Sequence, residues 1–130
     1  MSAQENKTFI QRYLDALSGK AKTPELVDQF VAEQTLKDHI AGAEEGFPSY
    51  ELIADHIVAE DDMVSVIGRF SGTHTGSFMG IPPTGKSFSN VPIHITYKVE
   101  NGKIVDHWML FDSANLMQQL GLAPSAEAAT

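Results

Sequence analysis

Residues 87–111 read SFSNVPIHITYKVENGKIVDHWMLF, and apolar side chains recur at every second position over much of this segment. A period of two is typical of a strand that buries one face and exposes the other. The pair Asn101-Gly102 is the most favoured sequence for a two-residue hairpin turn. The segment therefore predicts two antiparallel strands, at residues 87–100 and 103–111.

Upstream of this hairpin, residues 50–59 and 63–73 predict two further strands, separated by the polar turn Glu60-Asp61-Asp62. Before the strands, apolar residues recur at helical spacing and predict three helices, at about residues 9–17, from Pro24 onward and at about 35–45. A short helix is predicted after the last strand, at 113–120. Helices followed by a meander of strands predict an α+β protein whose helices pack on one face of a curved sheet.

The chain has 130 residues and no internal repeat, which predicts a single domain at residues 1–122. The small and polar segment 123–130 is expected to be a disordered tail. No apolar run reaches the roughly 20 residues that cross a bilayer, and residues 1–7 lack a signal-peptide core, so we expect a cytoplasmic protein. A net charge of −8 argues against nucleic acid or membrane partners.

Residues 80–87, GIPPTGKS, match the phosphate-binding loop pattern letter by letter. That loop works by pointing successive backbone N–H groups at phosphate where a helix begins. Pro82 and Pro83 have no N–H to donate, and an alternating strand follows instead of a helix. We therefore reject a nucleotide site here.

Several short motifs resemble successive signatures of the SnoaL-like polyketide (ester) cyclases, and the resemblance runs from about residue 7 to residue 121. Its motifs are FPSYEL at 47–52, GTHTG at 72–76, GIPPTGK at 80–86, NGKIVDHW at 101–108, and Asp112 with QQLG at 118–121.

This resemblance implies the nuclear transport factor 2 fold, which ketosteroid isomerase and limonene epoxide hydrolase share. We expect a cone-shaped, curved antiparallel or mixed sheet with three N-terminal helices over its concave face and a short C-terminal helix. The resemblance also implies an apolar small-molecule ligand, no metal or cofactor, an Asp as acid/base in a ring-closing aldol reaction, and a homodimer formed through the outer face of the sheet.

Two carboxylates are candidates for this base. Asp106, Trp108, Leu110 and Asp112 share one face of the last strand by alternation. The spacing W-x-x-x-D is the one that the family motif carries, so Asp112 is the first candidate and Asp106 the reserve, with Trp108 as a wall of the pocket. In the alternative interpretation, Asp112 caps the last helix and Asp106 is a solvated strand residue.

The histidines offer further candidates, although no pair has the i, i+4 spacing of a helical zinc motif and cysteine is absent, so we expect no metal. His74 continues the apolar face of its strand and is either an oxygen donor in the pocket or an anchor of the glycine-rich loop. His39 is expected near the pocket opening, or as a half-buried helix residue. His94 lies either on a polar cavity wall or, as we prefer, on the outer dimer face. His107 alternates away from Trp108 and is given no role.

Three more residues complete the candidate pocket. Tyr13, on the buried side of the first helix, is either a hydroxyl donor to a ligand oxygen or an ordinary core residue. Phe78 and Met79 lie in the glycine-rich loop and form either a flexible lid or a loop tip used in dimer packing.

Together these features predict a cyclase- or isomerase-like enzyme that acts on a small apolar carbonyl compound by general acid/base catalysis, with Asp112 as base and His74 or Tyr13 as oxygen donor. Two alternatives stay open: a non-catalytic small-molecule carrier with the same pocket, or a hydrolase of epoxides or lactones.

Overall fold

The computed structural model describes residues 2–122, so the predicted tail at 123–130 lies outside the described residues. The elements follow in the order α1 (Ala3–Leu17), α2 (Pro24–Asp28), α3 (Gln34–Gly46), β1 (Glu51–Glu60), β2 (Met63–Thr73), β3 (Ser87–Glu100), β4 (Lys103–Phe111) and α4 (Ser113–Gln119). None of the described helices is long and apolar enough to cross a membrane.

Helix boundaries follow from local capping. Ser2 and Glu5 form a capping box in which each side chain accepts the other residue's backbone N–H, so α1 begins six residues before its apolar stripe. Thr23 caps α2 by accepting from the Leu26 N–H, with Pro24 at the first helical position. Gly19, with φ of +72°, follows the end of α1.

The strands form one antiparallel sheet in the order β1-β2-β3-β4, which is curved and unclosed. The concave face carries the apolar core, including Val64 and Val66 of β2 and Ile93 and Ile95 of β3, and the helices contribute the facing half. The predicted fold class is confirmed: this is an α+β protein with helices packed over a curved sheet.

Three register shifts interrupt the ladder, in β1 between Ala54 and His56, in β2–β3 between Phe70 and Gly72, and in β3–β4 between Lys98 and Val99. Such bulges bend a strand and reverse which of its residues face inward. At the third shift Val99 pairs with Ile104 while Lys98 pairs with Asp106, so Val105 is the extra residue.

The outer face of the sheet exposes large apolar side chains in two rows that cross all four strands. One row runs Val58, Ser65, Thr96, Trp108, and the next runs His56, Ile67, His94, Leu110. We call the apolar members Val58, Ile67, Trp108 and Leu110 the convex patch; their exposed fractions are 61%, 39%, 51% and 78%.

Glycine substitutions test the tight packing at the first bulge. A Cβ at Gly68 would lie 2.2 Å from the carbonyl oxygen of Ile53, whereas a Cβ at Gly42, inside α3, would meet nothing within 4 Å. We expect Gly68→Ala to lower the free energy of unfolding by about 1–3 kcal/mol through overpacking. Gly42→Ala should raise it by about 0.5–1 kcal/mol, since alanine favours the helix. Urea unfolding of both variants measures this, and equal stabilities would contradict the packing at Gly68.

Candidate functional site

A cavity of about 480 Å³ lies between the helices and the concave face of the sheet. Its walls are mostly apolar and come from α1, α3, all four strands and the loops between them. Among them are Leu14, Leu36, Ile40, Phe70, Ile95 and Met109. A cavity of this size and lining suits a small, mainly apolar ligand.

All three tyrosines of the chain, Tyr13, Tyr50 and Tyr97, line this cavity. Burial raises the pKa of Tyr13 well above its ordinary value, and the neighbouring Tyr97 adds to the rise. Burial likewise raises the pKa values of Tyr97 and Tyr50. Each phenol therefore stays protonated and neutral at physiological pH, as a hydrogen-bond donor in apolar surroundings.

Lys22 also lines the cavity, and its side chain is only 2% exposed. Its Nζ donates to the carbonyl oxygens of Lys20 and Tyr50 and lies 3.5 Å from the Glu44 carboxylate. Burial lowers the pKa of Lys22, and Glu44 partly opposes that shift. Because these partners occupy its N–H groups, Lys22 ties the loop before α2 to the start of β1.

The cavity opens where Asp38, His39 and Met79 are exposed. Met79 is 79% exposed, whereas Phe78 packs on Phe47 with 4.5 Å between the ring centroids. Phe78 is thus a fixed wall and Met79 part of the rim.

A chain of three side chains runs from the interior to this opening. His107 Nδ1 lies 2.6 Å from Glu33 Oε1, and His107 Nε2 lies 3.2 Å from His39 Nδ1. The His107 side chain is 5% exposed and that of Glu33 19%, so both are largely withdrawn from solvent. His39 is exposed and lines the cavity.

Backbone pairing holds Glu33 beside β4. Val31 forms a parallel bridge with Ile104, and the N–H groups of Ala32 and Glu33 both donate to the Ile104 carbonyl. Glu33 is the N-cap residue of α3, yet its side chain makes no capping hydrogen bond. The carboxylate is bonded to His107 instead.

Asp106 completes a small cluster here. The side-chain N and O atoms of Glu33, Asp106 and His107 lie within 4.8 Å of one another, a spacing at which they could bind one metal ion. In the structure, however, Asp106 accepts the backbone N–H of His107, and His107 Nδ1 already faces Glu33. The three residues are thus linked by hydrogen bonds.

The two predicted carboxylates do not reach the cavity. Asp112 is exposed and caps α4 by accepting the N–H of Asn115, as the alternative interpretation of this residue predicts. It is absent from the cavity lining. Asp106 is not part of that lining either. The expectation that this face of β4 walls the pocket is wrong, because the extra residue Val105 turns it outward.

Trp108 lies on the convex face for the same geometric reason, and His94 lies there because it alternates with the buried residues Ile93 and Ile95 of β3. Trp108 pairs with Thr96 and is 51% exposed, and His94 is exposed beside Leu110. Neither residue is part of the cavity lining, and the position of His94 matches the preferred outer-face interpretation. His107, which was given no role, is the residue that points inward.

His74 is fully buried but does not line the cavity. Its Nδ1 accepts the backbone N–H of Thr84, and its ring meets that of Phe47 edge to face with 5.5 Å between the centroids. The expectation that His74 faces the ligand is wrong, since its contacts are those of a loop anchor. Tyr13, His39, Phe78 and Met79 do line the cavity.

An α+β fold with a curved sheet over a large apolar cavity is typical of a class of small-molecule-binding domains. A profile of the SnoaL-like polyketide cyclases matches residues 17–120, so the chain belongs to this family. Among curated proteins, none matches the chain.

Solved structures of similar fold include AclR from Streptomyces galilaeus, with a TM-score of 0.77 and 24% identity over 95% of this chain and 85% of that one. TsrD from Streptomyces laurentii has a TM-score of 0.77 and 23% identity over 94% and 98%. A SnoaL-like polyketide cyclase from Agrobacterium tumefaciens has a TM-score of 0.71 and 20% identity over 89% and 98%. At these identities the likeness shows the shared fold.

The tyrosines provide a test of the cavity by pH titration. Since their pKa values are raised in the folded protein, the native state keeps protons that the unfolded chain releases above about pH 10. We expect no tyrosinate absorbance from the native protein at about pH 11, and ionisation of all three residues in guanidinium. The raised tyrosine pKa values therefore contribute fully to the free energy of unfolding below about pH 10, and this contribution should decline at higher pH. Tyrosinate appearing near pH 10 while the fold is intact would contradict the buried cavity.

Proposed function

We propose that this protein is a cyclase- or isomerase-type enzyme that moves a proton at a carbon atom next to a carbonyl group, in a small and mostly apolar compound bound in the cavity. The observation that carries this proposal is the apolar cavity lined by three neutral phenols. Membership of the SnoaL-like polyketide cyclases supports a reaction of this type.

The chemistry requires a donor for the enolate oxygen that forms when the carbon loses its proton. A neutral phenol in an apolar site is a strong donor to such an oxygen, because water does not compete for it. Tyr13 and Tyr97 meet this requirement: both are nearly fully buried and their rings meet edge to face at 5.6 Å.

Proton exchange tests the proposal without knowledge of the natural substrate. 2-Tetralone is a compact apolar ketone whose acidic protons lie beside the carbonyl, and in D₂O an enzyme of this type replaces them with deuterium. We expect proton NMR to show exchange well above the rate in buffer. Tyr97→Phe, which removes one donor, should slow the exchange about 10²- to 10³-fold.

The same assay examines Asp112. Asparagine is as good an N-cap as aspartate, so Asp112→Asn should fold normally, and we expect its exchange rate to equal that of the wild type because Asp112 lies outside the cavity. Loss of exchange in this variant would restore Asp112 as the base. Binding of 2-tetralone, seen by saturation-transfer NMR, with exchange only at the buffer rate would indicate a carrier and contradict the enzymatic proposal.

We also propose that two copies of the chain pair through the convex patch. The members of the patch lie in two adjacent rows across the outer face, with Ser65, Thr96, His56 and His94 between them. The resemblance to the cyclases implies pairing through this face. An equivalent surface on a second copy would cover the apolar side chains that a monomer leaves in water.

Sedimentation at micromolar concentration tests the pairing. We expect a dimer for the wild type and a monomer for Leu110→Lys, which places a charge in the convex patch. Met79→Lys is the matched control: Met79 is equally exposed, at 79%, but lies at the cavity rim, so this variant should remain dimeric. A monomeric wild type, or a dimeric Leu110→Lys, would contradict the proposal.

A further inference from the structure

We propose that His39 is the catalytic base of this enzyme and that His107 and Glu33 are positioning residues that fix its protonation form. The inference rests on the proposed function and adds the group that removes the proton. It is carried by the three-residue chain Glu33–His107–His39, which ends at the cavity opening.

With both imidazole rings neutral, the two contacts assign one hydrogen to each ring. A carboxylate only accepts, so at 2.6 Å from Glu33 Oε1 the Nδ1 of His107 must carry a hydrogen. In the neutral ring the Nε2 of His107 then bears a lone pair. That lone pair accepts from Nδ1 of His39 at 3.2 Å, so His39 carries its hydrogen on Nδ1.

The consequence is an Nε2 lone pair on His39, a residue of the cavity lining. No hydrogen bond to this atom is formed by another residue within 2–122. When His39 Nε2 takes a proton from the carbon beside the substrate carbonyl, the electron pair of the C–H bond forms a C=C bond. The π pair of the carbonyl moves onto its oxygen, which gives an enolate. The positive charge on His39 is then stabilised through His107 by the Glu33 carboxylate. The proton returns from His39 to a carbon of the enolate as the C=O bond re-forms, which leaves His39 neutral again.

The N-terminus of α3 supplies independent support. Ser, Thr, Asp and Asn are the residues that cap helices well, and their side chains bond to the first N–H groups. Here the position holds Glu33, whose side chain leaves those groups uncapped and instead bonds to a largely buried histidine. The bulge at Val105 turns that histidine toward Glu33. Local helix stability alone does not explain this arrangement.

Nitrogen NMR of the histidine rings tests the chain without any substrate. At pH 8 we expect both His39 and His107 to carry hydrogen on Nδ1, the form that free histidine disfavours. In Glu33→Gln the side-chain amide can donate as well as accept, so the preference for hydrogen on Nδ1 should weaken in both rings. Glu45→Gln is the matched control, since Glu45 is an exposed residue of the same helix, and it should leave both rings as in the wild type. Hydrogen on Nε2 of His39 in the wild type would overturn the proposal.

The exchange of 2-tetralone in D₂O provides the kinetic test. We expect His39→Ala to lower kcat about 10²- to 10⁴-fold and added imidazole to restore part of that loss, a recovery that a purely structural role would not produce. Glu33→Gln should lower kcat about tenfold or more with little change in KM, and Glu45→Gln should lower neither.

The possible outcomes separate the two proposals. No exchange by the wild type, with the expected ring protons present, would defeat the proposed function and leave the hydrogen-bond chain standing. Full exchange by His39→Ala would defeat only the assignment of His39. Stoichiometric binding of zinc ions that is lost in Glu33→Gln would identify a metal site at Glu33, Asp106 and His107, and would overturn the proton chain.

Discussion

The hydrogen-bond ladder between β3 and β4 controls which side chains reach the interior of this protein. Near the Asn101-Gly102 turn the strands pair without interruption, and then Val105 has no partner of its own on β3. Beyond Val105, every side chain of β4 lies on the other face of the sheet from the one it would occupy without the bulge. Met109 and Phe111 consequently line the cavity, His107 reaches Glu33, and Trp108 and Leu110 are left outside.

The cavity is maintained at the expense of packing, and polar contacts at its edges hold the surrounding elements in place. A wall atom that faces empty space loses dispersion contacts that a filled core would provide. Lys22 joins two segments of the wall through the carbonyls of Lys20 and Tyr50. Farther away, Asn6 donates to the carbonyl of Asp61 and attaches α1 to the β1–β2 turn. These bonds fix positions that apolar contact alone would leave adjustable.

Much of the fold could be predicted from the sequence, because hydrophobic period, turn residues and caps are local signals. The hairpin at Asn101-Gly102 and the strand limits at Ser87 and Phe111 follow from such signals. The orientation of β4 could not be predicted from the sequence. An unbroken hairpin with a two-residue turn would pair Tyr97 with Asp106, whereas in the structure Tyr97 pairs with His107. Nothing in the residue type of Val105 indicates a bulge. The Glu33–His107 contact was missed for a related reason: the residues are 74 positions apart, and no spacing rule connects them. For Asp112 the sequence offered two interpretations, and the helix N-terminus beside it determined its contact.

The distribution of aromatic residues gives this protein two separate optical reporters. Its single tryptophan, Trp108, lies half exposed on the outer face of the sheet, and its three tyrosines surround the cavity on the inner face. Indole fluorescence depends on how much water surrounds the ring, so the emission of Trp108 follows events on the outer surface. Tyrosine absorbance follows the contents of the cavity. Changes on the two faces of one sheet can therefore be recorded separately in the unlabelled, unmodified chain.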